Sequence, residues 1–297
     1  MSDAEQPSNG RGRVTVPRTR KLYIGGSFPR SESGRVRPVL DAHGEFLANA
    51  ALASRKDLRE AVVAARKGFE SWSGATAHGR GQVLFRVAEM LEARRGQFAT
   101  EVADAEGLSL RAAADSVEAA VDRVFWYAGW TDKIGTVFGG VNQVSGPYTC
   151  HSVPEPVGVV GVVAPRESAL LGLVSVLAPV LAAGNSAVVL ASPDRPLPAV
   201  TLCEVLATSD LPAGVANVLT GDPAELAPWL ASHEDVDALD PTGAEESLRA
   251  RLEDAAAETV KRVLDVPVRE PDWNEPPTPK RLRTLTDLKT VWHPLGQ

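Results

Sequence analysis

Residues 157–163 read VGVVGVV. The run is β-branched and apolar with no alternation, so both faces of the strand it forms must be covered. Such a strand belongs inside a parallel sheet layered by helices, and the residues that follow have the matching rhythm. A helical stretch (169–181) leads through Gly184-Asn185 to a second apolar strand (186–190). A helix (196–208), a strand (215–219), a helix (225–232) and a short strand (236–239) ending at Thr242-Gly243 come next. Strand and helix alternating at this spacing predict βαβ units, hence an α/β fold with an open, mostly parallel sheet.

Upstream the period is helical. Leu58, Val62, Ala65 and Phe69 recur at three- and four-residue steps, Val83, Leu84, Val87, Ala88 and Leu91 form a second stripe, and 116–130 forms a third. These stripes predict a helical layer with one buried face. Ahead of them, KLYIGGSF (21–28) reads as a strand running into a turn, and 37–40 as a second strand before a turn at 41–45. After the sheet, 244–263 reads as a charged helix. Pro267, Pro271, Pro276, Pro277 and Pro279 predict an extended linker, and LTDLKTVW (285–292) reads as strand again.

Several function classes are excluded by composition. Net charge is −7, and the one basic cluster is Arg11, Arg13, Arg18, Arg20 and Lys21. It is interleaved with Ser, Asn, Gly and Pro, so a solvated flexible tail (1–20) is expected and no nucleic acid partner. No apolar run approaches the ~20 residues that span a bilayer, and the N-terminus lacks the apolar core of a secretory signal. Two cysteines, Cys150 and Cys203, make no disulfide framework. A cytoplasmic protein without a membrane partner or a metal site is the expectation.

Several segments resemble the aldehyde dehydrogenase superfamily: KLYIGGSF, DLREAVVAARKGFESW (57–72), RGQVLFRVAEMLEARR (80–95), YAGWTDKIG (127–135), EPVGVVGVVAP (155–165), LAPVLAAGN (177–185), LPAGVANVLTG (211–221) and SHEDVD (232–237). They are collinear from about Lys21 to Gly243. The resemblance implies a modified Rossmann-type nucleotide-binding domain (21–135 and 155–266) and an oligomerisation hairpin (136–154). A Pro-rich linker (267–284) and a C-terminal oligomerisation strand (285–297) complete the expected organisation. It also implies NAD(P) as cofactor, a cysteine nucleophile, an amide that holds the oxyanion, and a glutamate that activates water.

This chain departs from that chemistry at each place where it can be checked. In the family the nucleophile lies well downstream of the nucleotide segments. Here about fifty residues follow Gly243 and none is Cys, which reads as a truncated form lacking the catalytic domain. Cys150 and Cys203 read as structural thiols. The oxyanion amide belongs to a Pro-Trp-Asn-Phe-Pro turn that aligns on Pro165-Arg166-Glu167-Ser168-Ala169, so Glu167 stands where Asn is needed. An ionised carboxylate donates no hydrogen bond and repels an oxyanion. After Lys261-Arg262-Val263 the general-base position is Val266, with Asp265 one residue off register.

The cofactor positions depart as well. The family's ribose-binding Lys and Glu fall in Leu190-Ala191-Ser192-Pro193, so Leu190 and Pro193 are degenerate positions. Pro165, Thr242 and Gly243 remain as cofactor-site residues, but Glu245 and Glu246 in the following helix repel phosphate. Weak or absent NAD(P) binding is therefore expected. The sequence reads as a non-catalytic subunit that assembles with a full-length aldehyde dehydrogenase, or with itself. The alternatives are an NAD(P)-dependent aldehyde oxidoreductase and a non-redox nucleotide-binding module.

Overall fold

The computed structural model describes residues 18–295. It begins with a small sheet of β1 (Thr19–Arg20), β2 (Val36–Leu40) and β3 (Phe46–Ala51), in the order β1-β3-β2. Five helices follow: α1 (Arg55–Ser73), α2 (Ala77–Ala93), α3 (Arg95–Glu106), α4 (Leu110–Ala128) and α5 (Ile134–Phe138). A hairpin of β4 (Gly140–Asn142) and β5 (Tyr148–Pro156) leads into an alternating run. The run comprises β6 (Val159–Val163), α6 (Leu171–Ala182), β7 (Ser186–Leu190), α7 (Leu197–Ala207), β8 (Ala216–Leu219), α8 (Pro223–Ser232), β9 (Ala238–Asp240), α9 (Glu246–Ala257) and β10 (Arg262–Val263). A short helix α10 (Lys280–Thr284) and the strand β11 (Thr286–Pro294) complete the described chain.

Strands β6 to β10 form one parallel sheet in the order β10-β9-β6-β7-β8. Alternate side chains separate onto its two faces. Val160, Val162, Ala187, Val189 and Val218 pack with α2, α4, α6 and α7. Val159, Val163, Val188, Leu190 and Leu219 pack with α1, α8 and α9. Helices on both faces explain why the strand run shows no polar alternation. The strand order turns back beside β6, so the carboxyl ends of β6 and β9 flank the crevice where open α/β sheets take ligands.

Local signals set the helices. Ser54 Oγ accepts from Asp57 N, and the Asp57 carboxylate accepts from Ser54 N at 2.7 Å, a reciprocal capping box that starts α1. Leu58, Ala61, Val62, Ala65 and Trp72 then bury its inner face, and the Trp72 indole donates to the Leu181 carbonyl. Every residue of α6 is buried, so it needs cover on all sides. No helix among the described residues is long and apolar enough to cross a membrane.

The structure revises four sequence expectations. The tail read as 1–20 falls mostly outside the described residues, but Thr19–Arg20 is strand β1. Pairing with β3 draws it in, and the Arg20 guanidinium lies between Glu101 and Glu204. The 21–28 segment is no strand; Tyr23 makes one antiparallel bridge to Val218 on the open edge of β8, and Ile24–Ser27 turns through Gly25 and Gly26. The 244–263 stretch is not one helix: α9 stops at Ala257, and Arg262–Val263 pairs as β10 with β9.

The fourth revision concerns 267–284, which is a strap rather than a spacer. Its indole Trp273 is only 9% exposed and packs into the main core beside α6. Arg249 of α9 donates to the Val266 and Pro267 carbonyls, and Arg123 of α4 donates to the Trp273 and Glu275 carbonyls. The last turn of this segment is helix α10, with Leu282 buried and Leu285 following it into the core. The prolines exclude regular pairing, yet body guanidiniums satisfy the exposed carbonyls. Trp273→Ala should therefore cost about 3 kcal/mol in urea unfolding, as for a core aromatic. A loss under about 0.5 kcal/mol would mean the strap is only a spacer.

Candidate functional site

The loops after β6, β7 and β9 converge on a cleft of about 770 Å³. Arg166 and Glu167 line it from the first loop, Asp194 and Arg195 from the second, and Thr242, Gly243, Ala244 and Glu245 from the third. Val268, Arg269 and Glu270 of the strap form its remaining wall. A groove of equal volume lies between the start of α1 and the end of α8, where Arg55 stacks on Trp229, away from these loops.

Three of the cleft's charged side chains, Arg166, Asp194 and Glu245, are already committed to one another. Arg166 pairs with Asp194 at 2.9 Å and with Glu245, tying together the loops after β6, β7 and β9. The hydrogen bond that Arg166 donates to Asp194, then the charges of Asp194 and Glu245, push the Arg166 pKa above the usual guanidinium range. Arg195 donates to the Glu167 carbonyl. The Glu270 carboxylate accepts from the backbone N–H of Arg166 and, at 3.2 Å, from that of Glu167. Behind this loop Glu106 accepts from Ala169 N at 2.7 Å, and burial raises its carboxyl pKa.

The β9 end carries a second cluster. Asp240 is fully buried and accepts from Thr242 N, Thr242 Oγ1 and Arg281 of α10. Arg281 also donates to Thr242 Oγ1 at 2.9 Å. The Thr242 hydroxyl is thus engaged from two sides. Gly243 N donates to the Val163 carbonyl, and a Cβ on Gly243 would lie 1.8 Å from the Ala164 carbonyl oxygen. Backbone fills the gap between the β6 and β9 loops, and only glycine permits it.

Three of the sequence-derived positions come together here: Glu167, Thr242 and Gly243 line the same cleft. Val266 and Asp265 do not; they line a separate cavity of about 410 Å³ with Arg123, Tyr127 and Arg281. Pro165 and Leu190 are buried beneath the surface and Pro193 is half-buried. Cys150 is buried on β5, opposite Trp292. Cys203 is buried in α7, where its thiol donates to the Ala199 carbonyl. Burial, then the neighbouring Glu204, pushes the Cys203 thiol far above the usual range, which is the opposite of an activated nucleophile.

Sequence reading missed Glu270, Arg281, Asp240 and the role of Arg166. One signal was available: the strand Ala238-Leu239-Asp240 ends in a carboxylate, and a buried carboxylate calls for hydrogen-bond donors or a cation. Which arginine supplies it depends on where the strap lies.

A dinucleotide bound at this edge would place phosphate near the amino end of α9 and its ribose hydroxyls beside the β7 loop. Glu245 stands at the amino end of α9 with its carboxylate on Arg166, and Glu246 sits in the first turn. At the β7 end Leu190 is apolar and buried, and Ser192 Oγ is turned to the Arg166 carbonyl. These residues do not supply the contacts the group needs.

A model of the aldehyde dehydrogenase family matches residues 28–266. The chain is 34% identical over 247 residues to the mitochondrial aldehyde dehydrogenase family 2 member B4 of Arabidopsis thaliana, covering 82% of this chain and 45% of that protein. Retinal dehydrogenase 2 of Gallus gallus is 33% identical, over 82% of this chain and 47% of that protein. Among solved structures, a betaine aldehyde dehydrogenase of Staphylococcus aureus in complex with NAD+ matches with TM-score 0.78 and 26% identity, covering 82% of this chain and 49% of that one. HpcC of Thermus thermophilus matches with TM-score 0.79 and 30% identity, over 83% and 47%. The chain spans about half the length of the relatives it matches.

Two outcomes are expected of this geometry. Arg281→Ala leaves the Asp240 carboxylate buried without its cation and should cost about 3–5 kcal/mol in chemical denaturation. Calorimetry with NAD+, NADP+ and ATP should show no binding tighter than about 1 mM. A micromolar dissociation constant for any of them would overturn the reading of the cleft.

Proposed function

Because the chain belongs to the aldehyde dehydrogenase family, we propose that it acts as a non-catalytic subunit, assembling with a full-length member of that family and supporting it. The observation that carries this reading is the sheet β11-β5-β4. Strands β5 and β11 pair antiparallel from Thr286 opposite Pro156 to Pro294 opposite Tyr148, and β11 is an edge strand. Trp292 (56% exposed), Leu288 and Tyr148 share one face, with the Tyr148 and Trp292 rings 5.9 Å apart. Val141 is 74% exposed on the other face. A long edge strand with exposed aromatic and aliphatic side chains is a template for pairing with another chain.

The non-catalytic half of the proposal rests on residues, not on length. Within this chain a carboxylate, Glu167, stands at the oxyanion-amide position, both thiols are buried, and the strap contributes Glu270 to the crevice. Neither buried thiol is poised to attack a carbonyl, and an ionised Glu167 carboxylate cannot hold an oxyanion. NAD(P) enters only through the family. By the same resemblance, the β5 and β11 segments correspond to the oligomerisation hairpin and strand of full-length members, which makes such a member the partner of choice over an unrelated protein.

A tagged pull-down from the native cell, identified by mass spectrometry and sized by light scattering, should recover a full-length aldehyde dehydrogenase at near-equal amount. The double variant Leu288→Asp/Trp292→Asp should lose that partner at least tenfold while melting within about 2 °C of the parent, since both side chains are exposed. Recovery of the chain alone, as a monomer or a pair of identical copies, would sink the partner reading.

A further inference from the structure

The Glu270 contact goes beyond a strap resting on a surface. Glu270 Oε1 accepts from two successive backbone N–H groups, those of Arg166 and Glu167, while Oε2 accepts from the Trp273 indole N–H at 3.1 Å. Three neutral donors therefore converge on one carboxylate, and both of its oxygens are used. Consecutive amides turned to one anion form the kind of concavity that binds free anions, and donors fixed in advance cost no reorganisation when they do so.

The walls keep their shape without the Glu270 side chain. Arg249 holds the strap at the Val266 and Pro267 carbonyls, Arg123 holds it at Trp273 and Glu275, and the Trp273 ring is sunk in the core. The loop carrying the amides is fixed separately: Arg166 bridges Asp194 and Glu245, and Ala169 N donates to Glu106. Removing the carboxylate thus leaves its three donors facing a gap about the size of a short carboxylic acid.

We propose that the amides of Arg166 and Glu167 and the Trp273 indole form a carboxylate site, which the chain fills with its own Glu270 and which a free short-chain monocarboxylate enters when that side chain is removed. The selectivity follows from the shape of the donor set. Two donors serve one oxygen and one serves the other, so a planar carboxylate fits where spherical chloride satisfies only part of the set. The lining carboxylates Glu167, Asp194 and Glu245 are balanced by Arg166, Arg195 and Arg269, so the three-donor set, not net charge, directs the site to a single carboxylate. In the intact chain the strap holds the tethered carboxylate in place, so its effective concentration far exceeds that of added free acid, which enters poorly. The proposal concerns the isolated chain and stands apart from the assembly reading.

The test compares thermal melts of the parent chain, Glu270→Ala and Glu270→Gln in sodium acetate and in sodium chloride at equal ionic strength. In chloride, Glu270→Ala should melt about 2–4 °C below the parent. Acetate at about 0.1 M should restore most of that loss, and should shift the parent and Glu270→Gln far less, since their sites are filled. An unchanged melting temperature in Glu270→Ala, or equal acetate shifts in all three proteins, overturns the site. Hydrogen exchange on the parent chain keeps the test decisive if Glu270→Ala does not fold. The Arg166 and Glu167 amides should exchange at least tenfold more slowly than exposed loop amides, and exchange at the free-loop rate overturns the proposal as well.

Discussion

Helix α6 has no polar face. Its sequence LGLVSVLAPVLA offers one hydroxyl, and each of its residues is buried. A helix apolar all round has to be covered all round. The sheet covers one side and α4 another, and the strap covers the rest with Trp273 and α10. Arrangement of the polar groups follows from that demand. Ser175, the one hydroxyl, donates to the Leu171 carbonyl and accepts from Arg123, and Arg123 in turn reaches the strap carbonyls. The packing requirement of one helix thus fixes the path of a proline-rich segment that has little regular structure of its own.

Once the strap lies there, electrostatics at the carboxyl ends of the strands follow. Asp240 is fully buried and needs compensation for its lost hydration; Thr242 supplies two donors and α10 brings Arg281 to it. Glu270 arrives over the β6 loop, where two amides would otherwise face the cleft unpaired. Arg166 draws the loops after β7 and β9 together. The edge of the sheet where relatives of this fold take ligands is, in this chain, a network of internal partners. Each contact is modest alone, and the exposed pairs are screened by solvent. The buried Asp240–Arg281 pair differs, because breaking it leaves a charge with no replacement for its hydration.

The other end of the strap enters β11, and here the chain leaves large apolar side chains exposed. The β5–β11 ribbon exposes side chains on both faces, and its outer strand presents backbone donors and acceptors. A ribbon of few strands is marginal in water unless something packs against it. The contrast within one chain is physical: internal pairs cross the crevice, while the outer edge of the ribbon is open.

The sequence by itself determined the layered α/β core, because VGVVGVV, SAVVL and the helical stripes can bury their apolar faces in only one way. By resemblance it also pointed to Glu167, Val266, Leu190 and Pro193 as departures from the family's chemistry, an expectation carried by residue identity and not by packing. It could not place short elements such as β1, β3, β10 and α10, whose two to six residues carry too little periodicity to stand against turn signals. Nor could it find partners far apart in the chain. Asp240 with Arg281, Glu270 with the amides of Arg166 and Glu167, and Arg123 with Trp273 are set by long-range packing. A proline-rich stretch reads as a spacer from composition alone. Only the tertiary structure decided that it is a wall, because the surface it covers is made by helices and strands far from it in sequence.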